Sequence, residues 1–333
     1  MMQREYEMTT FRLNRRTLLA AASASLLPAL AFAQAWPTRP VRLVVAGPAG
    51  GSADLVARLI AEPLQKELGQ PVIVDNKPGA AGAIAVGDLL QAQRDGHTLL
   101  VGVNSLVSEI PHIVKLRWDM AKELRPMAEL ARGGLVLVGH PSVPARNVQE
   151  LVAHAKRNPG KVSYASYSPG TQSHVLGLLL NRAAGIDLTH VGYKGSTPAL
   201  ADVMGNHVPL MFDGLATSLP LIKSGKIKAF AVSSPKRVPQ LPDVPTFGEA
   251  GYPQLEALAW MGLWSTPDTP AAAQARVREA TLKVLSDPAL RARMLDTGFE
   301  AGAPRSTEDM ARGLKVDYDR VGAVLQSVGF KPE

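Results

Sequence analysis

Short apolar runs alternate with helical segments along most of the chain, beginning at Val41. Each run is rich in Val, Leu and Ile, and it leads through a turn of Gly, Ser or Pro into a segment with helical periodicity. This alternation is typical of α/β folds in which helices join parallel strands. The predicted strands cover residues 41–46, 72–74, 98–103, 135–138, 162–166, 188–191, 208–212, 227–232 and 258–264.

Local signals support the helices between these strands. The first helix is predicted from about Ala53 to Leu68, because apolar residues recur on one face and Gly69 is placed to end it. Asn147 is a good N-cap for a helix that follows it directly. A proline-rich connector over residues 238–253 precedes the last predicted strand and two long amphipathic segments.

The predicted elements fall into two α/β sets. The strand-like runs 135–138 and 258–264 bracket the second set, which indicates that the chain crosses twice between two lobes. We therefore predict a two-lobed α/β fold with a ligand cleft between a first lobe of residues 36–135 and 259–333 and a second of residues 136–258. In the alternative arrangement, one half ends where the other begins.

Residues 1–33 have the pattern of a secretory signal peptide, with Arg15 and Arg16 before an uncharged apolar stretch and Ala31-Phe32-Ala33 as a small-x-small cleavage site. The apolar stretch is shorter than the roughly twenty residues that span a bilayer, which favours cleavage near Ala33 over a permanent anchor. The arginine pair fits either an ordinary basic region or a twin-arginine signal. We expect export to the periplasm.

Composition excludes several kinds of site. The 333-residue chain has no cysteine, which rules out disulfides, CxxC motifs and a thiolate nucleophile. Its net charge of +7 includes no run of like charges, so we expect no nucleic-acid partner. The seven histidines show no metal-ligand spacing such as HExxH or HxH. We therefore predict no metal and no cofactor.

Five turns lie directly after predicted strands, where α/β proteins bind ligands. Their small residues would let backbone N–H groups approach a ligand, and the helices that follow carry partial positive charge at their first N–H groups. Several such helix ends around one cleft would bind an anion without arginine. The candidate ligand-binding residues are Ala49, Gly50, Gly51, Ser52, Asp54, Asn104, Ser105, Ser166, Ser168, Gly170, Thr171, His174, Tyr193, Lys194, Gly195 and Asp213.

The expected anion is a carboxylate rather than a phosphate. Residues 47–52 do not match GxxxxGK[ST], GxGxxG is absent, and no cluster of Asp for Mg²⁺ lies near the turns. Lys194 is the only cation in these turns and is either a counter-charge or a solvated turn residue. Asp54 suits helix capping as well as ligand contact. Tyr167 and Tyr193 either form walls of the pocket or cover the edge of the core.

A catalytic interpretation is disfavoured. Ser168, His174 and Asp213 are the residue types of a triad, but Ser168 lacks the GxSxG elbow and the three residues come from separate loops. His174 lies a few residues into a predicted helix, where it could face the ligand or serve as a packing or capping residue.

Several short segments follow one another in a set order from the signal peptide to the C-terminus. These segments and their order resemble the extracytoplasmic receptors of tripartite tricarboxylate transporters, the Bug or TctC family. The segments are Pro40-Val41-Arg42, Gly50-Gly51-Ser52-Ala53-Asp54, PVIVDNKPG over 71–79, Tyr164-Ala165-Ser166, Pro169-Gly170-Thr171 with His174, Tyr193-Lys194-Gly195, Pro198-Ala199-Leu200, Met211-Phe212-Asp213, Asp243-Val244-Pro245-Thr246, Glu249-Ala250-Gly251, and Trp260 ahead of Pro267-Asp268-Thr269-Pro270.

The resemblance implies a type II periplasmic-binding fold that closes on a small carboxylate, such as a dicarboxylate or an aromatic acid, and delivers it to membrane permease subunits. It implies that backbone amides and ordered water from residues 50–54, with small hydroxyl residues from 168–171, hold the carboxylate. Three positions depart from the family pattern: Tyr167-Ser168 replaces Ser-Gly, Gly192 replaces a proline, and Ala81 replaces a glycine. Tyr167 and Ser168 lie where ligand shape would be recognised, so the acid is not inferred from any relative.

We expect a monomeric binding protein without catalytic activity. A periplasmic sensor subunit would differ only in its partner, and a secreted hydrolase would need Ser168 or Ser52 as a nucleophile. A transcription regulator with this fold would need an N-terminal helix-turn-helix, and the export signal occupies that place.

Overall fold

The computed structural model describes residues 36–327, and the predicted signal peptide lies outside the described residues. The strands in chain order are β1 (Val41–Val45), β2 (Val72–Asn76), β3 (Thr98–Val103), β4 (Arg125–Gly133), β5 (Leu135–Gly139), β6 (Val162–Ser166), β7 (Leu188–Gly192), β8 (Leu210–Gly214), β9 (Lys228–Val232), β10 (Ala259–Ser265) and β11 (Glu300–Ala301). The helices are α1 (Ser52–Leu68), α2 (Ala83–Gln91), α3 (Ser105–Ser108), α4 (Met120–Glu123), α5 (Val148–Arg157), α6 (Gln172–Ala184), α7 (Ser196–Met204), α8 (Leu215–Lys223), α9 (Ala271–Ser286), α10 (Pro288–Asp296) and α11 (Thr307–Ser327).

The strands form two sheets, which confirms the predicted α/β fold. The first sheet has the order β11-β4-β10-β3-β1-β2, and the second has the order β7-β6-β8-β5-β9. Strand β1 pairs in parallel with β2 and β3, and β6 pairs in parallel with β7 and β8. Because parallel strands end at the same edge of a sheet, the loops after β1, β2 and β3 gather at one edge, and those after β6, β7 and β8 gather at another.

Several strands run against the predicted parallel direction. In the second sheet β5 is antiparallel to β8 and β9, and in the first sheet β10 is antiparallel to β3 and β4. Apolar periodicity does not encode strand direction, so these pairings could not be inferred from it. Strand β4 and helix α8 were not predicted, and three helices, rather than two amphipathic segments, follow β10.

Each sheet buries apolar side chains against its helices. Val56, Ile60 and Leu64 lie on one face of α1 and are fully buried in a cluster with β1 and β3. Helix α1 contains Pro63, and it ends at Leu68 before Gly69, where the sequence predicted its end. In the second sheet the aromatic rings of Tyr164, Phe212 and Phe230 belong to a corresponding cluster. These cores fix the strand ends from which the functional loops emerge.

The chain passes from the first sheet to the second between β4 and β5, which only Gly134 separates. Ser233, just after β9, joins this crossing to the returning segment: its hydroxyl accepts a hydrogen bond from Leu135 N at 2.9 Å and donates one to Ala257 O at 2.8 Å. A side chain at Gly134 would collide with the backbone, because its Cβ would lie 2.6 Å from Ser234 N. The two crossings are therefore packed closely together.

Within residues 36–327, no helix is both long enough and apolar enough to span a membrane.

Candidate functional site

A cavity lies between the loops that follow strands of the first sheet and those that follow strands of the second. It offers about 90 Å³ to the centre of a water-sized sphere. At about 10–15 Å³ for each water molecule, this is room for a small organic molecule. Its lining consists of Ala46, Gly47, Pro48, Gly51, Ser52, Ala53, Gly79, Ala81, Gly82, Val103, Leu106, Ile110, Tyr167, Ser168, Thr171, Tyr193, Lys194, Gly195 and Ser196.

Three of the described helices begin at this cavity. The N-cap residues of α1, α6 and α7 are Gly51, Thr171 and Gly195, and all three line it. In these described helices, no side chain of the N-cap residue caps the first turn; Thr171 Oγ1 donates instead to Ser168 O at 2.7 Å. The first N–H groups of a helix have no intrahelical acceptor, so three sets of donors converge on one small volume. This arrangement attracts an anion.

Loops from the two sheets touch each other over the cavity. Thr197 Oγ1 donates a hydrogen bond to Ala49 O at 3.2 Å. Gly195, with φ of +112°, lies so close to Pro48 that an added Cβ would be 2.3 Å from the proline Cδ. Only glycine combines this left-handed backbone with this approach. Loops of the two sheets therefore meet across the cavity and cover it from both sides.

Asp54 holds the loop before α1 in place rather than facing the cavity. It is 2% exposed, and its carboxylate accepts hydrogen bonds from Gly50 N at 2.8 Å and Arg58 Nε at 3.0 Å. Burial acts to raise the pKa of this carboxyl, but the Arg58 and Gly50 hydrogen bonds hold it below its ordinary value. Asp54 therefore stays ionised and fixes the bend that presents Gly51.

Asp213 is a fully buried carboxylate behind the cavity wall. It accepts hydrogen bonds from the hydroxyls of Ser196 at 2.6 Å, Thr217 at 2.6 Å and Ser218 at 2.5 Å. Tyr167 also hydrogen-bonds it, and burial raises the pKa of Asp213 despite these donors. Since Ser196 and Tyr167 line the cavity, Asp213 orients two polar wall residues without touching the cavity itself.

The rings of His174 and His190 stack with their centroids 3.8 Å apart, and His174 is buried while His190 is partly exposed. His174 Nδ1 accepts a hydrogen bond from Gly170 N at 3.1 Å, and His190 Nε2 lies 2.6 Å from Ser166 Oγ. Burial lowers the pKa of His174 to about 3 and that of His190 to about 4, so both rings are neutral at physiological pH. They shape the loop that carries Ser168 and Thr171.

Lys194 is the only charged side chain that lines the cavity among the described residues. It is exposed, and within that part of the chain no ion pair neutralises it. Tyr193 beside it donates its hydroxyl hydrogen to Asp202 at 2.6 Å, so its ring forms a fixed wall.

Asn104 and Ser105 are buried and do not line the cavity. Asn104 is hydrogen-bonded to strand β10 of the first sheet, because its N–H donates to Trp260 O at 2.9 Å and its side-chain oxygen accepts from Trp260 N at 3.1 Å.

Glu109, close to Asn104, is 4% exposed and accepts a hydrogen bond from Ser108 Oγ at 2.7 Å. Burial raises the pKa of Glu109 to about 7.

The sixteen predicted residues divide by position. Those that line the cavity are Gly51, Ser52, Ser168, Thr171, Tyr193, Lys194 and Gly195. Those that lie outside the lining are Ala49, Gly50, Asp54, Asn104, Ser105, Ser166, Gly170, His174 and Asp213. Of the three residues of the possible triad, Asp213 is engaged by the hydroxyls of Ser196, Thr217 and Ser218.

Other lining residues were not among the predicted sixteen. Gly79, Ala81 and Gly82 follow the parallel strand β2, so the strand-end rule could have found them. Leu106 and Ile110 are apolar and gave no sequence signal of a site. Within residues 36–327, no group of three or more His, Asp or Glu residues could hold a metal ion.

Comparison with known proteins places this geometry in context. Residues 56–330 match the family model described as "Tripartite tricarboxylate transporter family receptor". A UPF0065 protein of Bordetella bronchiseptica is 36% identical over 323 residues, or 96% of this chain and 95% of that protein.

Two solved structures share the fold. Rpa4515 of R. palustris with adipate has a TM-score of 0.86 at 31% identity, over 90% of this chain and 100% of that one. MatC of Rhodopseudomonas palustris with bound malate has a TM-score of 0.82 at 31% identity, over 87% of this chain and 100% of that one. The resemblance inferred from the ordered sequence segments is confirmed: this chain belongs to the tripartite tricarboxylate transporter receptor family.

Proposed function

We propose that this protein captures a small organic carboxylate by closure of its two lobes and delivers it to the permease subunits of a tripartite tricarboxylate-type transporter. The observation that carries this proposal is the convergence of three uncapped helix N-termini on one cavity, at Gly51, Thr171 and Gly195. An anion is the ligand that such donors favour.

The free energy that the three helix N-termini would contribute is sufficient for useful binding. One helix N-terminus contributes about 0.3–1 kcal/mol at an exposed site and up to about 2 kcal/mol when partly buried. Three of them around a desolvated carboxylate would contribute about 3–6 kcal/mol, against the roughly 8 kcal/mol that corresponds to micromolar affinity. The remainder comes from burial of the hydrocarbon part of the acid.

The rest of the lining supports an organic acid over an inorganic anion. Val103, Leu106 and Ile110 give the cavity an apolar wall that suits carbon atoms. Lys194 at the exposed side could pair with a second carboxylate. The comparison structures contain adipate and malate, which are both dicarboxylates, and this supports a ligand of the same class.

The contacts over the cavity support closure. The Thr197–Ala49 hydrogen bond and the Gly195–Pro48 contact join loops of the two sheets. A ligand shifts the balance toward the closed form only by its preference for that form, and a carboxylate gains all three helix N-termini only when the loops meet. The closed, liganded form is then what the permease recognises.

We propose binding without catalysis. Two of the hydroxyl groups beside the cavity act in structure: Thr171 donates to Ser168 O, and Ser196 donates to Asp213. We expect an active-site phosphonate to label neither Ser168 nor Ser52. The signal-like residues 1–33 support a periplasmic location for the mature protein.

The decisive experiment is native mass spectrometry of the purified protein, to identify a retained small acid. Calorimetry with malate, adipate, benzoate and inorganic phosphate would then rank the ligands. Binding of a carboxylate with phosphate inactive supports the proposal, whereas tighter binding of phosphate, or no binding of any acid, contradicts it. Capture of permease subunits from membranes by the liganded protein would test delivery, and capture of a sensor kinase instead would contradict it.

A further inference from the structure

A second, smaller cavity lies directly behind the cavity described above. We call the first the front cavity and the second the back cavity, and the two share Ser52, Val103 and Tyr167 in their walls. It offers about 50 Å³ to the centre of a water-sized sphere. At about 10–15 Å³ for each water-sized group, it has room for roughly three to five such groups. Apart from Ser52 and Tyr167, its side chains are apolar, among them Leu135, Leu215, Met261 and Phe299.

The wall between the two cavities is held in place. Gly214 N donates a hydrogen bond to the Tyr167 hydroxyl, and the same hydroxyl hydrogen-bonds the buried Asp213. Ser52 lies against this hydroxyl from the first sheet, and its Oγ is buried. An added Cβ on Gly214 would be 2.7 Å from Ser52 Oγ and 3.2 Å from the Tyr167 hydroxyl oxygen, so the three groups meet at one point. The Tyr167 ring therefore has a fixed position.

We propose that Tyr167 is a specificity-determining residue that partitions one larger cavity and thereby limits the length of acid that the protein accepts. This inference rests on the proposed function, because it assumes that the front cavity holds the carboxylate. A smaller residue at this position would join the two cavities. The added space would take the apolar tail of a monocarboxylic acid, since the back cavity offers no cation and few polar groups.

The fold sets the direction in which the tail of a longer acid would extend. The back cavity is bounded by Gly133, Gly134 and Ala259, which belong to the two crossings between the sheets. The three N-cap residues proposed to hold the carboxylate, Gly51, Thr171 and Gly195, line the front cavity and do not line the back cavity. An acid bound by its carboxylate at the front would therefore point its tail toward the crossings once the ring is absent.

The test compares Tyr167→Ala with Tyr167→Phe. The phenylalanine variant keeps the ring and loses the hydrogen bonds to Gly214 and Asp213, so it is a matched control for their loss. Calorimetry would measure the affinities of butyrate, hexanoate and octanoate, with adipate and malate as reference acids. Each buried methylene increases affinity by about fourfold, so filling the back cavity should raise the octanoate-to-butyrate affinity ratio by about tenfold or more in Tyr167→Ala.

The expected result is a raised ratio in Tyr167→Ala and an unchanged ratio in Tyr167→Phe. An unchanged ratio in an alanine variant that still binds acids would overturn the partition and leave the proposed function intact. An equal rise in both variants would also overturn it, because the loss of hydrogen bonds would then be the cause. Binding of no acid by the wild type would overturn the proposed function itself. If Tyr167→Ala does not fold, Tyr167→Leu, which keeps an apolar side chain of smaller size, should show the same rise in smaller degree.

Discussion

Substitution of Gly51 by aspartate tests the three-helix anion site most directly. Gly51 is the N-cap of α1 and lines the cavity, and its φ of −81° is open to any residue. An added Cβ would lie 3.1 Å from Pro48 O, a contact that a small adjustment relieves. Aspartate is a favourable N-cap residue, so its carboxylate should turn onto the first N–H groups of α1. The protein would then supply its own anion where the ligand is expected.

The loss of affinity can be worked out from two effects. Occupation of the α1 N-terminus removes up to about 2 kcal/mol of ligand stabilisation. Two carboxylates about 4 Å apart repel each other by about 4 kcal/mol at an effective dielectric constant of about 20. The dissociation constant should therefore rise by at least about a thousandfold. Stability should change by only a few tenths of a kcal/mol, since an aspartate N-cap differs little from glycine.

Calorimetry with malate and adipate, together with thermal unfolding of the ligand-free protein, would measure both quantities. Gly51→Ala is the matched control, because it introduces the same Cβ beside Pro48 without the charge. We expect Gly51→Ala to retain most of the wild-type affinity and Gly51→Asp to show none within the measurable range. Wild-type affinity in Gly51→Asp would refute the anion site, and equal losses in both variants would attribute the effect to the Cβ alone.

Three further outcomes are expected. Thr171→Ala should weaken acid binding in calorimetry by about 1 kcal/mol, or about fivefold, because it removes the hydrogen bond to Ser168 O that holds the loop at the start of α6; an unchanged affinity would contradict a role for this hydroxyl. Lys194→Met should weaken dicarboxylate binding by no more than about 1 kcal/mol at low salt, and the difference should disappear at high salt because the lysine is exposed. Glu109→Gln should raise the free energy of unfolding at pH 8 by up to about 3 kcal/mol and leave it unchanged at pH 4, as measured by denaturant titration. The native pKa of Glu109 is raised from 4.5 to about 7 by burial, so wild-type stability falls as pH rises through that window, whereas glutamine does not ionise; an equal effect at both pH values would contradict this origin.

The sequence predicted the strands that follow the alternating pattern and missed β4 and the two-residue β11, which do not. Strand β4 lies between β10 and β11 but contains Pro126, Glu129 and Arg132. Glu129 is 1% exposed and its carboxylate accepts from Arg132 Nη2 at 2.8 Å. The buried carboxylate and the partly exposed arginine interrupt the apolar pattern of a strand, and the partner strand β10 lies more than a hundred residues away in sequence. Only tertiary structure explains why these residues are extended.

The sequence predicted the site residues whose position follows from where a strand ends and the next helix begins. It did not predict which polar side chains are engaged by neighbouring protein groups instead of facing the cavity. Gly51 and Gly195 lie at strand ends before helices, and the strand-end rule found both. Asp54, His174 and Asp213 have residue types that suit ligand contact, yet their polar atoms serve neighbouring loop and wall groups. Residue type shows what a side chain could bind, whereas burial and competing partners decide what it does bind.

In the proposed function, main-chain donors at helix ends hold the carboxylate, and every amino acid except proline supplies such a donor in the same way. Most substitutions around the front cavity would therefore leave the anionic head group bound and change only what surrounds the rest of the molecule. Substitution of one or two wall residues could change which acids bind without changing the helix N-termini that hold the carboxylate. A scaffold of this kind would diversify readily in the acids it accepts while remaining a receptor for acids.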